Sequence, residues 1–91
     1  MEFKDTIEMM MSEDYKERFK AEYYQTKIRY ERLKKFNTKI EAARTYNDPL
    51  KVVLKEPKHD CPYDMLRNQQ AIMGEYLHIL EVRAAIEGID L

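Results

Sequence analysis

The sequence predicts an all-α fold, in which a short N-terminal helix precedes a long antiparallel helical hairpin that forms oligomers. Apolar and aromatic residues recur at alternating spacings of four and three, which places them on one side of a helix. Only two glycines and three prolines occur in 91 residues, so few turns are expected. Charged residues make up 36% of the chain and nearly cancel to a net charge of −1, as on a solvated helical surface. This composition argues against a β-sandwich.

The first element is a short amphipathic helix over about residues 3–11. Asp5 and Glu8 are placed to act as its capping pair. Its apolar residues fall three or four apart: Phe3, Ile7, Met10 and Met11.

The second element is a long helix over about residues 13–45. Ser12 is a good N-cap, and the acidic Glu13 and Asp14 favour the positive end of a helix. No proline or glycine interrupts it. One face carries a stripe that is more aromatic than aliphatic: Phe19, Tyr23, Thr26, Tyr30, Leu33, Asn37 and Ile40.

A linker over residues 46–61 separates the two long helices and contains Pro49 and Pro57, with Pro62 directly after it. Asn47-Asp48-Pro49 is a turn signal. The aliphatic residues between Leu50 and Leu54 predict a brief extended segment packed over the helices.

The last helix is predicted over about residues 62–87, with Asp60 or Cys61 as N-cap and Gly88 as C-terminal cap. Small residues on its back, Ala71, Gly74 and Ala85, would let another helix approach closely. Its predicted inner face is Met65, Leu66, Gln69, Ile72, Met73, Tyr76, Ile79, Leu80, Arg83 and Ile86.

Two helices cannot surround all of these side chains, so the stripes are predicted to form a core or an oligomer face. The residues expected on it are Phe19, Leu33, Asn37, Ile40, Gln69, Ile72, Met73, Tyr76 and Leu80. Buried polar groups need partners. One interpretation is an interhelical network in which Arg83 pairs with Glu87 or Glu41 and Asn37 fixes the register. The other is a pocket in which tyrosines stack on a planar ligand and cations hold an anion, formed by Tyr23, Lys27, Tyr30, Lys34 and Arg83.

The sequence offers little chemistry for catalysis, metal binding or a cofactor, and none of these is expected. No HExxH motif, Gly-rich phosphate loop or Gly-x-Ser-x-Gly elbow occurs. His59-Asp60-Cys61 lies in the linker, where consecutive side chains rarely face one another, and the lone Cys61 excludes an internal disulfide. The charge balance lacks the basic excess of a nucleic-acid binder. Because neither a membrane span nor a signal peptide is apparent, we expect a cytoplasmic protein.

Two segments resemble a group of small helical proteins encoded by phages and prophages of Gram-positive bacteria. They are DYKERFKAEYYQTKIRYERLKK from Asp14 and CPYDMLRNQQAIMGEYLHILEVRAAIEGIDL from Cys61, which together cover roughly three-quarters of the chain. The linker departs from the usual form of that group, for which no set of functional residues is defined.

The resemblance implies a non-enzymatic phage accessory protein that antagonises a host defence inside the infected bacterium. One mode is a sponge, because phage helical-hairpin proteins that sequester cyclic-nucleotide immune signals have a similar architecture. They form oligomers with ligand pockets between subunits. The second mode is direct inhibition of a host defence protein, such as a CRISPR or other anti-phage effector. A third possibility is a structural or regulatory oligomer without a small ligand.

Overall fold

The computed structural model describes all 91 residues and is entirely helical, which confirms the all-α prediction. A 3₁₀ turn at Phe3–Asp5 leads into α1 (Thr6–Met10). The long helix α2 is Tyr15–Ala43, α3 is Pro49–Lys55 and the last helix α4 is Tyr63–Glu87. No helix combines the length and the apolar character that crossing a membrane requires.

The N-terminal caps differ from the predicted ones by a few residues. Asp14, rather than Ser12, caps α2, and its carboxylate accepts a hydrogen bond from the backbone N–H of Lys16 at 3.0 Å. The Ser12 hydroxyl instead accepts from the backbone N–H of Asp14 at 3.1 Å. Asp5 pairs with the backbone N–H of Glu2 at 2.8 Å, not with Glu8. The predicted serine cap therefore belongs to the turn that leads into the helix.

Residues 49–55 form a helix, so the prediction of an extended segment there was wrong. Asp48 caps α3, since its carboxylate accepts from the backbone N–H of Leu50 at 3.0 Å. Pro49 occupies the first turn, where its fixed φ suits a helix and its missing N–H costs nothing. The Asp-Pro pair was read only as a turn, but it also starts a helix that overrides the β preference of two adjacent valines.

The two long helices pack side by side in opposite directions. Tyr15 at the start of α2 bonds Glu87 at the end of α4, whereas Asn37 near the end of α2 bonds Gln70. The short α1 packs on a different side of α2, where the Gln25 amide donates to the Thr6 hydroxyl at 2.8 Å. The molecule is consequently elongated, with extents of 54 × 25 × 18 Å.

The predicted stripe of α2 lies in the interface between the long helices, which we call the hairpin seam. All seven of its residues are buried or half-buried. On α4, the predicted core positions Leu80 and Met73 also lie inward, whereas Gln69 and Ile72 lie outside the seam. Tyr76 lies at the edge of the seam, where its hydroxyl donates to the Glu22 carboxylate of α2. The inner face of α4 is therefore rotated from the predicted one and consists of Leu66, Gln70, Met73, Leu77, Leu80 and Ala84.

The ends of α4 are set by local chemistry. Pro62, rather than Asp60 or Cys61, occupies the N-cap position. Gly88 adopts a left-handed φ of 70°, as expected of a helix-terminating glycine. The chain then turns so that the Ile89 N–H bonds the Ala84 carbonyl at 2.8 Å, and Ile89 is buried beside the seam.

Candidate functional site

A narrow cleft of about 200 Å³ opens between α2 and α4 along one side of the hairpin. It contains three of the predicted ligand residues, Tyr23, Lys27 and Tyr30, which lie on successive turns of α2. The α4 wall adds residues that the sequence prediction did not include: Gly74, Leu77, His78 and Glu81. We call this the aromatic depression.

Gly74 is what allows α4 to approach the Tyr30 ring. A Cβ at this position would lie 3.2 Å from a ring carbon of Tyr30, closer than ordinary packing permits. The prediction that this glycine lies on the back of α4 was wrong, but the close approach of another helix that it was expected to allow is present, and that helix is α2. A glycine within a helix costs about 1 kcal/mol relative to alanine. That cost is offset here because the missing side chain leaves room for the Tyr30 ring to pack against α4.

The Tyr23 hydroxyl closes the end of the aromatic depression. It donates to the Glu81 carboxylate at 2.6 Å. Burial and the neighbouring carboxylate raise the pKa of Tyr23 to about 12, so the hydroxyl stays protonated and remains a donor. The Lys27 ammonium lies 5.9 Å from the centre of the Tyr23 ring, within cation–π range.

A second depression of about 420 Å³ adjoins the first, because Tyr30 and Glu31 line both. Its wall carries three lysines, Lys34, Lys35 and Lys39, together with Thr38. We call this the basic depression. The predicted residue Lys34 therefore lies beside the aromatic depression rather than inside it.

The basic depression belongs to a strongly cationic part of α2. Residues 27–39 contain six basic residues and only Glu31 as an acidic one, although the whole chain carries a net charge of −1. None of these six cations lies within 4.0 Å of a carboxylate, whereas ion pairs do form elsewhere in the molecule. Unneutralised charge of one sign attracts counter-ions of the other. This segment therefore carries a local excess of positive charge that no ion pair within the chain neutralises.

Arg83 does not join the predicted ligand residues. It lies nine residues beyond Gly74 on α4, about 13 Å along the helix axis at 1.5 Å per residue. Its guanidinium donates to Glu87 at 3.2 Å and to the Tyr15 hydroxyl at 2.7 Å, and it covers the Phe19 ring at 5.1 Å. The predicted Arg83–Glu87 pair is therefore present, and Arg83 ties the open end of the hairpin together.

Asn37 makes an interhelical contact of the kind predicted. Its amide donates to the Leu66 carbonyl at 3.1 Å and to the Gln70 side chain at 2.9 Å. Its own carbonyl oxygen is buried without a partner. The sequence pointed to Gln69 as the polar group of α4, but Gln69 is exposed and Gln70 makes the contact.

The histidine and thiol of the linker do not form a nucleophile site. His59 reaches Cys61 through the backbone carbonyl, at 2.7 Å, and its other ring nitrogen faces Glu56 at 2.8 Å. Glu56 also pairs with Arg44 at 2.7 Å. Both hydrogen bonds raise the pKa of His59, and Arg44 and His59 lower that of Glu56 to about 2. No group of three His, Cys, Asp or Glu side chains is positioned to hold a metal ion.

These features define an all-helical protein with an aromatic and a basic depression side by side. A family model described as Sequestin matches residues 13–86, which include both long helices and the linker. The chain therefore belongs to the Sequestin family. The family name indicates a function in sequestration. No curated protein and no solved structure matches the chain.

Proposed function

We propose that this protein sequesters a cyclic-nucleotide immune signal and thereby protects a phage from a defence system of its bacterial host. It acts without catalysis, inside the host cytoplasm and as a homo-oligomer. The phage origin follows from the resemblance of the two long helices to phage and prophage proteins. Membership in the Sequestin family supports binding and sequestration.

The observation that carries this proposal is the placement of unpaired cations beside a half-buried tyrosine ring. A nucleotide joins a flat base to an anionic phosphate. In the aromatic depression the half-buried Tyr30 ring offers a stacking surface for the base, and the buried Tyr23 ring lines the same depression. In the basic depression Lys34 and Lys39 offer ammonium groups for the phosphate. The two parts of the ligand would thus lie along successive turns of α2.

The volumes argue against a ligand held by the aromatic depression alone. A typical small-molecule site has a volume of about 300–1,000 Å³. The aromatic depression alone, at about 200 Å³, is smaller than that range. With the adjoining basic depression of about 420 Å³, the site reaches it.

The first experiment is a thermal-shift panel of cyclic di- and trinucleotides, followed by calorimetry on any compound that stabilises the protein. A ligand that binds only the folded state raises its stability by RT ln(1 + [L]/Kd), so a binder present at about 100 times its Kd adds about 2.7 kcal/mol. We expect a concentration-dependent shift for at least one compound. No shift across the panel would overturn the cyclic-nucleotide proposal.

A pair of variants localises the site. Lys34→Gln/Lys39→Gln should weaken nucleotide binding at least about tenfold, since a hydrogen bond to a charged group contributes about 1.5–3 kcal/mol. The matched control is Lys51→Gln/Lys55→Gln, which removes two exposed lysines of α3 and should leave affinity unchanged. Equal loss in both variants would mean nonspecific charge attraction rather than this site.

Direct inhibition of a host defence protein is the second candidate, and the exposed face of α3 favours it. Leu50, Val53 and Leu54 project from that helix with more than 60% of their surface exposed. An inhibitor of this kind would bind a purified defence effector and lose that binding with Leu50→Glu/Val53→Glu. A structural or regulatory oligomer without a small ligand would bind neither the nucleotides nor the effector.

A further inference from the structure

The outer face of α4 carries a line of large aliphatic side chains that nothing in the chain covers. Met65, Ile72, Ile79 and Ile86 follow one another at intervals of seven residues, and between 54 and 78% of their surfaces are exposed. We call them the outer stripe. They point away from the hairpin seam, whose α4 residues are Leu77, Leu80 and Ala84. A helix with two apolar faces is typical of one that packs against two neighbours.

The surface of the chain is too large for a compact monomer. A folded protein of 11.0 kDa is expected to expose about 5,600 Å², from the scaling of accessible surface with mass. This chain exposes 6898 Å². The excess is about 1,300 Å² per copy, and a pair of copies that buried it would form an interface of about 2,600 Å², the size of an obligate homodimer interface.

The seven-residue interval is the repeat with which helices pack along each other in coiled coils. The outer stripe is also symmetric about its midpoint between Glu75 and Tyr76. An antiparallel copy therefore places Ile72 opposite Ile79, and Met65 opposite Ile86, on both sides of a two-fold axis. Such a contact is self-complementary, as a two-fold dimer requires.

The charges on α4 favour the antiparallel arrangement. In a parallel pair, Arg83 would face Arg83 of the other copy and Glu75 would face Glu75. The antiparallel pair instead separates the two Arg83 side chains, each of which lies level with Asn68 of the other copy, while the two Glu75 side chains stay near the two-fold axis. Like charges directly opposed across a helical interface are destabilising.

We propose that the outer stripe is the interface through which two copies of this chain pair, antiparallel, along α4. This inference deepens the oligomer part of the proposed function and does not depend on the nucleotide. The aromatic depression uses Gly74, His78 and Glu81, which lie on a different side of α4. Pairing along the outer stripe therefore leaves the depression open to a ligand in each copy.

The test is the molar mass by light scattering after size exclusion, without nucleotide, across protein concentrations from about 1 to 100 μM, the range of typical protein affinities. The wild-type chain should have at least twice the monomer mass. Ile72→Glu/Ile79→Glu should halve the mass of the paired species while the helical circular dichroism is kept. The matched control is Val53→Glu/Leu54→Glu on α3, where both side chains are even more exposed than Ile72 and Ile79, and it should keep the wild-type mass.

Cross-linking tests the direction of pairing. In a Cys61→Ser background, chains carrying Ile72→Cys and chains carrying Ile79→Cys are mixed and oxidised. Antiparallel pairing should join unlike chains, whereas parallel pairing should join like ones. The proposal is overturned by a monomeric wild type at the highest concentration, by an α4 variant that keeps its mass, or by cross-links only between like chains. Nucleotide binding by a monomer would overturn the interface and leave the ligand site standing.

Discussion

The two apolar faces of α4 differ in what covers them. The seam face has Leu77, Leu80 and Ala84 buried against α2, and its polar member Gln70 bonds Asn37 of α2. The outer stripe has aliphatic residues of the same size as those leucines and no cover within the chain. The side-chain size of a residue therefore does not decide which face of a long helix lies inside a hairpin. The complementary groups on the other helix decide it.

The sharpest test of this comparison replaces neighbouring residues on opposite faces. Leu80→Ala should lower the free energy of unfolding by about 2–5 kcal/mol, because it leaves a cavity in the seam. Ile79→Ala should change it by less than about 1 kcal/mol in dilute solution, as for other exposed positions. Urea unfolding at low and high protein concentration measures both. In the Ile79→Ala variant, mainly the dependence of stability on protein concentration should be lost. If Leu80→Ala and Ile79→Ala lowered the free energy of unfolding equally in dilute solution, the assignment of the two faces would be contradicted.

The polar residues of α4 offer a second test. Asn37→Ala should lower the free energy of unfolding by about 1–3 kcal/mol, because it removes two hydrogen bonds to α4 inside the seam. Gln69→Ala changes an exposed amide and should stay within about 0.5 kcal/mol. Urea unfolding of the two variants compares them directly. If Gln69→Ala lowered the free energy of unfolding more than Asn37→Ala, Gln69 would lie in an interface, and the assignment of the inner and outer faces of α4 would be wrong.

These comparisons show how far the sequence determines the fold and the site. The α2 stripe could be predicted because it extends over the whole helix, whereas the second apolar strip of that helix, with Ala21, Tyr24 and Ile28, is shorter. On α4 the series with Ile72, Tyr76 and Ile79 has the same four-three spacing as the true inner face and is equally apolar, so the two compete. Only contact with α2, through Leu66 and Gln70, identifies the correct one. The helix at 49–55 was missed because valines outweighed the Asp-Pro start signal.

The candidate site was predictable in part for the same reason. Tyr23, Lys27 and Tyr30 share one helix, so their proximity follows from spacing alone. Arg83 belongs to the other helix, and the register between helices was unknown before the contacts were seen. Gly74 was the residue from which the α4 side of the aromatic depression could have been predicted, because a glycine within a helix often marks a close approach of another element. The sequence alone could not say what approaches it.

The edge of the seam at Gly74 provides a third prediction. Gly74→Ala should change the free energy of unfolding by less than about 1 kcal/mol, because the gain in helix propensity offsets displacement of the Tyr30 ring. It should still weaken nucleotide binding, since the displaced ring narrows the aromatic depression. Calorimetry with the best compound of the panel measures the affinity. Glu75→Ala, one residue along and exposed, is the control that should bind normally.

The smallest predicted effect is a dependence of stability on pH, which arises from His59 in the linker at the closed end of the hairpin. His59 donates to Cys61 and Glu56 when protonated, and its folded pKa is raised above the ordinary value near 6.5. A group whose folded pKa is raised contributes its full stabilisation when the pH is below its unfolded pKa. That stabilisation is lost as the pH rises through the folded pKa. The free energy of unfolding should therefore fall as the pH rises above about 6.5, the ordinary pKa of histidine.

Urea unfolding between about pH 6 and 9, around the ordinary histidine pKa, tests this in wild type, His59→Gln and His78→Gln. Glu56, whose pKa lies at about 2, and Arg44 keep their charges throughout that interval, so His59 is the group of this cluster that titrates. His59→Gln should remove the decline and His78→Gln, at an exposed position on α4, should keep it. The paired mass of the protein should not follow the same titration, because the outer stripe contains no ionisable group. A mass that fell together with the stability would instead couple the linker end to the interface.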